Sequence, residues 1–502
     1  MRQAFIRIAR RTFAVLGMLL FACLQGAETS VTPHDVPWEF GSSRYSVTVN
    51  GRPVQSFLAA MNLHFVSFDM TSKVEIEVTI NDNDYNRHDG RTYLKSDKFW
   101  GEQAVIRPTQ AGIKAKTQGR KVTFSIDRPG QFSVERVGAH HFEDETLFIF
   151  ANPPEATPAP ATDPSTIRLG PGIHRRSVDL KSGQTLYLAP GAVLYGAINV
   201  WDAQDVRIHG RGVVVYEGPN ARNFDSGWMV RPDWHPLTTR NVRRLSVEGV
   251  TFVNRARTWS LQFTRTFESD FNNIKIIAAT PENLNCDGMD WYGGGKATVR
   301  NSFVRCADDC FAFHTEDSSI ALRVDRGGGG HIPGAPQKKT PPTQGEFSDL
   351  TIEKCVLWPT VANVIRAGWN NQSLKSRRIL MKDCDVINME SPLRSWLGAS
   401  WALFTAVEPE GEGECLHEDY RFEDIRIETS AALIGVNWPR STLRRFVFKD
   451  IKINGEAGKS LLRCRSEDIL MQNVNINGKT ALSDQDMSLH IEGEANNLRY
   501  SK

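Results

Sequence analysis

The strongest constraint on this chain is a short strand unit that returns at a regular interval through its second half. Leu350-Thr-Ile-Glu-Lys-Cys-Val-Leu, Ile379-Leu-Met-Lys-Asp-Cys-Asp-Val, Phe446-Val-Phe-Lys-Asp-Ile-Lys-Ile and Ile469-Leu-Met-Gln-Asn-Val-Asn-Ile share one pattern. An apolar–x–apolar strand runs into a polar Asn, Asp or Lys corner and leaves it as a second short strand. Ile274-Lys-Ile-Ile and Thr298-Val-Arg-Asn-Ser-Phe-Val are earlier copies. Copies lie about 22 to 32 residues apart where no insertion intervenes, a period that marks a solenoid. A single coil cannot bury its own apolar face, whereas stacked coils bury one another's inward side chains in a continuous column. Aligning the copies puts Phe303, Cys355, Cys384, Ile451 and Val474 at one position of that column. No 3.6-residue period competes, and leucine-rich repeat spacing is absent. The expected fold is all-β, a right-handed parallel β-helix over residues 166–502 whose first coil is Leu186-Tyr-Leu-Ala-Pro-Gly-Ala-Val-Leu-Tyr.

Residues 30–153 read differently. Lys73-Val-Glu-Ile-Glu-Val-Thr-Ile alternates polar and apolar, as do Tyr45-Ser-Val-Thr-Val, Lys121-Val-Thr-Phe-Ser-Ile and Thr146-Leu-Phe-Ile-Phe. Alternation buries one face and wets the other, the habit of antiparallel sheets. Such strands, cut by Asn-Gly, Asp-Gly and Pro-Gly turns, predict an antiparallel β-sandwich. The proline-rich stretch from Pro154 to residue 165 reads as a semi-rigid linker.

Residues 1–27 have the layout of a secretory signal peptide: a basic start (Arg2, Arg7, Arg10, Arg11), an apolar run from Phe13 to Cys23, then Gly26 and Ala27. The run is too short to span a bilayer. Cleavage near Ala27 and a secreted or periplasmic location are expected. Leu20-Phe21-Ala22-Cys23 also resembles a lipoprotein box, which makes Cys23 an alternative lipid-attachment point. No integral membrane segment is expected.

The 502 residues carry a formal net charge of +2 with 24% charged residues, a balance that argues against a nucleic-acid partner. The cysteines beyond Cys23 all fall in the second half and form no C-x-x-C pair. They read as small core residues, so no metal and no cofactor are expected.

Two segments carry chemistry. Asn285-Cys-Asp-Gly-Met-Asp-Trp-Tyr is followed by Cys306-Ala-Asp-Asp-Cys-Phe-Ala-Phe. Asp287 and Asp308 are 21 positions apart, about one coil, so they are expected to lie over one another at roughly 4.8 Å. Asp309 adds a third carboxylate. Crowded carboxyls raise at least one pKa and leave a neutral acid beside ionised bases, which glycosidic hydrolysis needs. Corner Asp residues also bond backbone, and Asp-Asp pairs also bind calcium. Neighbours in a strand face opposite ways, so Asp308 and Asp309 share a groove only at a strand end or bulge. Asp290 reads as a solvated or turn residue.

Trp291 and Trp369, beside the motifs, are expected to stack on sugar faces. Arg366 suits a substrate hydroxyl, carboxylate or sulfate, or it holds an Asp in place. His314 either orients a carboxylate or is a structural histidine. Asn285 caps a turn or bonds Asp287.

Asn-x-Asp followed one coil later by Asp-Asp resembles the β-helical glycoside hydrolases of families 28 and 49, the polygalacturonase and dextranase group. The leading sandwich and Asn363-Val-Ile-Arg-Ala-Gly-Trp369 are closer to the dextranase-like family 49 layout. The Gly-His-Gly and Arg-Ile-Lys motifs of polygalacturonases are absent, which weakens a galacturonan substrate. The resemblance implies an inverting hydrolase of a polysaccharide or oligosaccharide. It implies Asp308 as general acid, with Asp287 and Asp309 activating water. Inversion by the usual rule wants acid and base about 6.5–9.5 Å apart. The competing readings are a polysaccharide lyase acting on an acidic glycan and a non-catalytic glycan-binding solenoid, because fold does not fix function.

Overall fold

The computed structural model describes residues 30–60, 62–81, 103–138, 145–156, 163–218, 233–256, 258–278, 285–314, 345–368, 374–389, 401–406 and 413–502. The expected leader with Cys23, most of the linker, Trp369, the glycine-rich stretch after Gly327 and part of the acidic insert after Glu408 lie outside these residues.

The described residues between 31 and 152 form two facing sheets, one of six strands and one of five. Pairing is antiparallel except between Leu63–Met70 and Thr146–Asn152, which run parallel. Period-2 alternation is visible in Val74–Ile80, where Val74, Ile76, Val78 and Ile80 are buried. They pack with Val47, Phe68, Phe124 and Ile149 in the sandwich core.

Among the described residues from Thr166 onward, 27 strands belong to one sheet in which each main strand pairs in parallel with a strand one coil further on. This is the right-handed parallel β-helix, and the sandwich precedes it. Among the described residues no helix is long and apolar enough to cross a membrane.

The polar corners are left-handed residues. Asn273, Asn301, Lys354, Asp383, Asp424, Asp450 and Asn473 all have φ between 49° and 54°. Short polar side chains tolerate this region best, which explains the Asn/Asp bias of the repeat. A second left-handed column alternates charge. Asp205, Arg244, Glu268, Lys296, Asp349, Arg378, Asp419, Arg445 and Asp468 stand at one level of successive coils. Arg244 meets Asp205, Arg378 meets Asp349, and Arg445 meets Asp419, each at 2.6 Å.

The cysteine column is confirmed with one change. Cys355 stands level with Cys384, and Ile425, Ile451 and Val474 continue the line. Phe303 is one residue out of phase and faces Val356. The left-handed turn at Asn301 sets the phase, so buried Ser302 takes the column position, its hydroxyl bonded to the Arg300 carbonyl at 2.7 Å.

Sandwich and helix share an apolar seam. Phe148 lies 4.9 Å from Phe303 and 5.8 Å from Trp358, and Phe150 lies 5.3 Å from Phe303. Arg255 donates to the Leu58 and Ala59 carbonyls, both at 2.6 Å. Arg107 joins Glu135 of the sandwich to Glu428 of the helix.

Candidate active site

Three neighbouring coils build the site. The strand Met289–Arg300 pairs with Phe311–His314, which pairs with Ile365–Ala367. Asp308 and Asp309 fall between the strands Phe303–Cys306 and Phe311–His314, so strand alternation does not part them. The register puts Met289 opposite Phe311, and hence Asp287 level with Asp309; Asp308 stands to one side. Gly288 donates to the Asp309 carbonyl at 2.9 Å and Asp308 donates to the Cys286 carbonyl at 3.3 Å. A Cβ at position 288 would come within 2.6 Å of the Cys310 carbonyl oxygen and 2.7 Å of Val304, so only glycine fits after Asp287.

One oxygen from each of Asp287, Asp308 and Asp309 lies within 4.8 Å of the others. The expected 6.5–9.5 Å separation is therefore not met by the facing oxygens. The cause is the coil spacing: carboxyls on adjacent stacked strands start about 4.8 Å apart.

Arg366 clamps the cluster. Its Nε bonds Asp309, its Nη2 reaches Asp287 at 3.0 Å, and its Nη1 donates to the Gly368 carbonyl at 2.8 Å. Asn363 holds Asp309 from the same coil, donating its backbone N–H and side-chain amide to one carboxylate oxygen, both at 2.9 Å. Asn363 is in turn fixed by Ala402, whose N–H it accepts at 3.0 Å. The three carboxylates have the spacing of a divalent-cation site, but the guanidinium already supplies the positive charge beside two of them.

Burial, then the Asp309 carboxylate, pushes Asp287 up to about 7 against the pull of Arg366. Asp308 has solvent access at its edge, yet surrounding protein, then Asp287 and Asp309, hold its carboxyl well above the usual range. Burial opposes the charge on Arg366, but the four nearby carboxyls outweigh it and raise its pKa.

The sequence expectations for Asp290 and Trp291 are overturned together. Met289 and Trp291 point into the coil, where Trp291 packs 5.0 Å from Phe263 and 5.5 Å from Phe347. Trp291 is fully buried and offers no face to a sugar. Asp290 and Tyr292 take the outer face. Asp290 is buried, and its pKa is raised well above normal by burial and then by Asp287. His314 orients towards Asp290, not towards the trio, with Nε2 at 3.5 Å. It stacks on Tyr292 at 4.5 Å and Trp259 at 5.4 Å. Asn285 accepts a hydrogen bond from the Trp259 indole at 3.3 Å. Asn363 and Tyr292 were not singled out beforehand, although Asn363 opens the Asn363-Val-Ile-Arg stretch.

Fold and site together define a β-sandwich-led parallel β-helix with a carboxylate–guanidinium cluster on the outer face of its coils. The structure is similar to Dex49A from Penicillium minioluteum, with a TM-score of 0.59, 14% identity, and coverage of 94% of this chain and 97% of that one. An exopolygalacturonase from Thermotoga maritima gives a TM-score of 0.46 at 13% identity, covering 66% of this chain and 84% of that one. PfbA, a surface adhesin of Streptococcus pneumoniae, gives 0.35 at 10% identity, covering 67% and 83%. At such identities the likeness speaks for fold alone. No family model and no curated protein matches the sequence.

Proposed function

We propose that the protein is an exported glycoside hydrolase that cleaves a polysaccharide or oligosaccharide through Asp287, Asp308 and Asp309. One observation carries this reading: three carboxyls from two coils have oxygens within 4.8 Å of one another, and two of them are held by one buried arginine. The Asp308 carboxyl is held well above the usual range by surrounding protein and then by Asp287 and Asp309, and it has solvent access, which suits a general acid facing the leaving oxygen. Asp287 is balanced near 7, and Asp309 is oriented by Asn363 and Arg366, which suits both to activate water. The sequence resemblance to the dextranase-like group supports an α-glucan-like substrate, and the basic, apolar leader supports export.

Inversion follows from the family resemblance. The short carboxyl spacing favours a second course, retention through an aspartyl-linked intermediate, which uses groups about 5–5.5 Å apart. Proton NMR of the first-formed sugar anomer separates the two.

The test of the function is a polysaccharide panel with product sizing, run beside Asp308→Asn. Release of reducing ends should fall about 10²- to 10⁴-fold with the circular dichroism spectrum intact. An unchanged rate removes Asp308 from the mechanism. An ultraviolet-absorbing unsaturated product would mark a lyase instead.

A further inference from the structure

The turn that presents Asp308 and Asp309 starts from a heavily bonded carbonyl. Cys306 ends the strand Phe303–Cys306. Its carbonyl oxygen accepts from the Thr360 N–H at 3.1 Å, the Thr360 hydroxyl at 2.9 Å and Arg305 Nη1 at 3.1 Å. The same Nη1 donates to the Thr360 hydroxyl, which leaves that group's own hydrogen aimed at the carbonyl. The turn is braced further by the Cys306 thiol, which donates to the Asp308 carbonyl at 3.1 Å, and by Val361, whose N–H donates to the Ala307 carbonyl at 2.8 Å. Arg305 is buried on the side that the sandwich covers, out of a substrate's reach. Its guanidinium lies 4.9 Å over the Trp358 ring, and Trp358 meets Phe148 of the sandwich edge-on at 5.8 Å. Burial pulls its pKa down to about 10, so it stays charged at neutral pH.

We infer that Arg305 is a positioning residue for the reaction, acting through Thr360 and the Cys306 carbonyl to set where Asp308 stands. The inference rests on the trio being the cleavage site. The two acids of the turn are held differently. Asp309 is gripped at its carboxylate by Asn363 and Arg366. Asp308 takes its place from the backbone: its N–H donates to the Cys286 carbonyl at 3.3 Å, and its carbonyl accepts the Cys306 thiol. A shift of Cys306 therefore moves Asp308 before it moves Asp309. A general acid must stay within hydrogen-bond reach of the leaving oxygen, and a misplacement of about 1 Å can cost on the order of 100-fold in rate. The rigid guanidinium, pinned on Trp358, holds the hydroxyl and the carbonyl together; an ammonium on a flexible stem would hold them less strictly.

The test is a double-mutant cycle with Asp308→Asn, reading reducing-end release from dextran or from the panel glycan that the wild type cleaves fastest. Arg305→Met should lower kcat about 10- to 100-fold and leave KM within about twofold, because Arg305 touches no substrate. Arg305→Lys should recover part of that loss. Thr360→Val keeps the side-chain shape and breaks the same relay, so it should reproduce the fall in kcat and carries the test if Arg305→Met does not fold. In the Asp308→Asn protein both penalties should vanish, since an amide delivers no proton wherever it stands. A merely structural role would lower the melting temperature with kcat intact, or give penalties that add in full to that of Asp308→Asn. Either result overturns the inference alone, as does a raised KM with kcat unchanged. Full activity of Asp308→Asn itself overturns the hydrolase reading, and this inference with it.

Discussion

Arg366 reaches back one coil to bond Asp309 and two coils to bond Asp287 at 3.0 Å. Removing the guanidinium leaves two buried carboxyls uncompensated. Arg366→Met should cost about 3–5 kcal/mol of stability, the usual penalty for breaking a buried ion pair. It should also abolish turnover. Chemical denaturation beside a kinetic assay checks both, and a fully stable, active variant would show the clamp to be dispensable.

The Asp287 carboxyl gives a pH signature. Its folded pKa, about 7, lies above its ordinary 3.8, so the native state holds a proton that the unfolded state has released between these values. Stability from this group therefore falls as pH rises through that window. Asp287→Asn removes the effect, so its melting temperature should gain on the wild type between about pH 4 and about pH 8. The wild-type acid limb of kcat/KM should lie near the same value, since the base must be ionised. Parallel melting curves for variant and wild type would contradict this.

Trp291 should behave as core. Trp291→Ala is expected to lose about 3–5 kcal/mol by opening a cavity among Phe263, Phe313 and Phe347. Trp291→Phe should keep KM. A raised KM with an unchanged melting temperature would restore the sugar-platform role.

The alternating-charge column should specify coil register. Each exposed pair contributes little, but like charges in a row are penalised. Arg378→Glu would stack three acids at consecutive levels and should lower the melting temperature more than Arg378→Ala. Hydrogen bonding from Arg378 holds Asp349 down at about 2, so this contribution is present above Asp349's ordinary pKa and is lost as pH falls towards 2. Equal melting of the two variants at neutral pH would deny the column any register role.

The sandwich and the helix are proposed to unfold together. Their seam is aromatic and continuous, with Phe148 and Phe150 packed on Phe303. Scanning calorimetry should show one transition, and Phe148→Ala should lower it as a whole, by about 3–5 kcal/mol. Two separable transitions would mean independent units.

The repeat of apolar–x–apolar strands and polar corners, read from residues such as Leu350 and Ile379, was enough to specify stacked coils, because no single coil can bury its own face. Acidic motifs one coil apart were enough to bring Asp287, Asp308 and Asp309 together. Phase and register were decided only by the tertiary structure. The 21-position spacing suggested Asp308 over Asp287, whereas the strand pairing puts Asp309 there. Which of Asp290 and Trp291 faces inward depends on where the chain enters its strand, and a one-residue shift exchanges the two faces. Asn363 and Arg366 meet Asp309 across 54 and 57 positions, beyond any local pattern, because insert length between coils leaves no trace in the repeat.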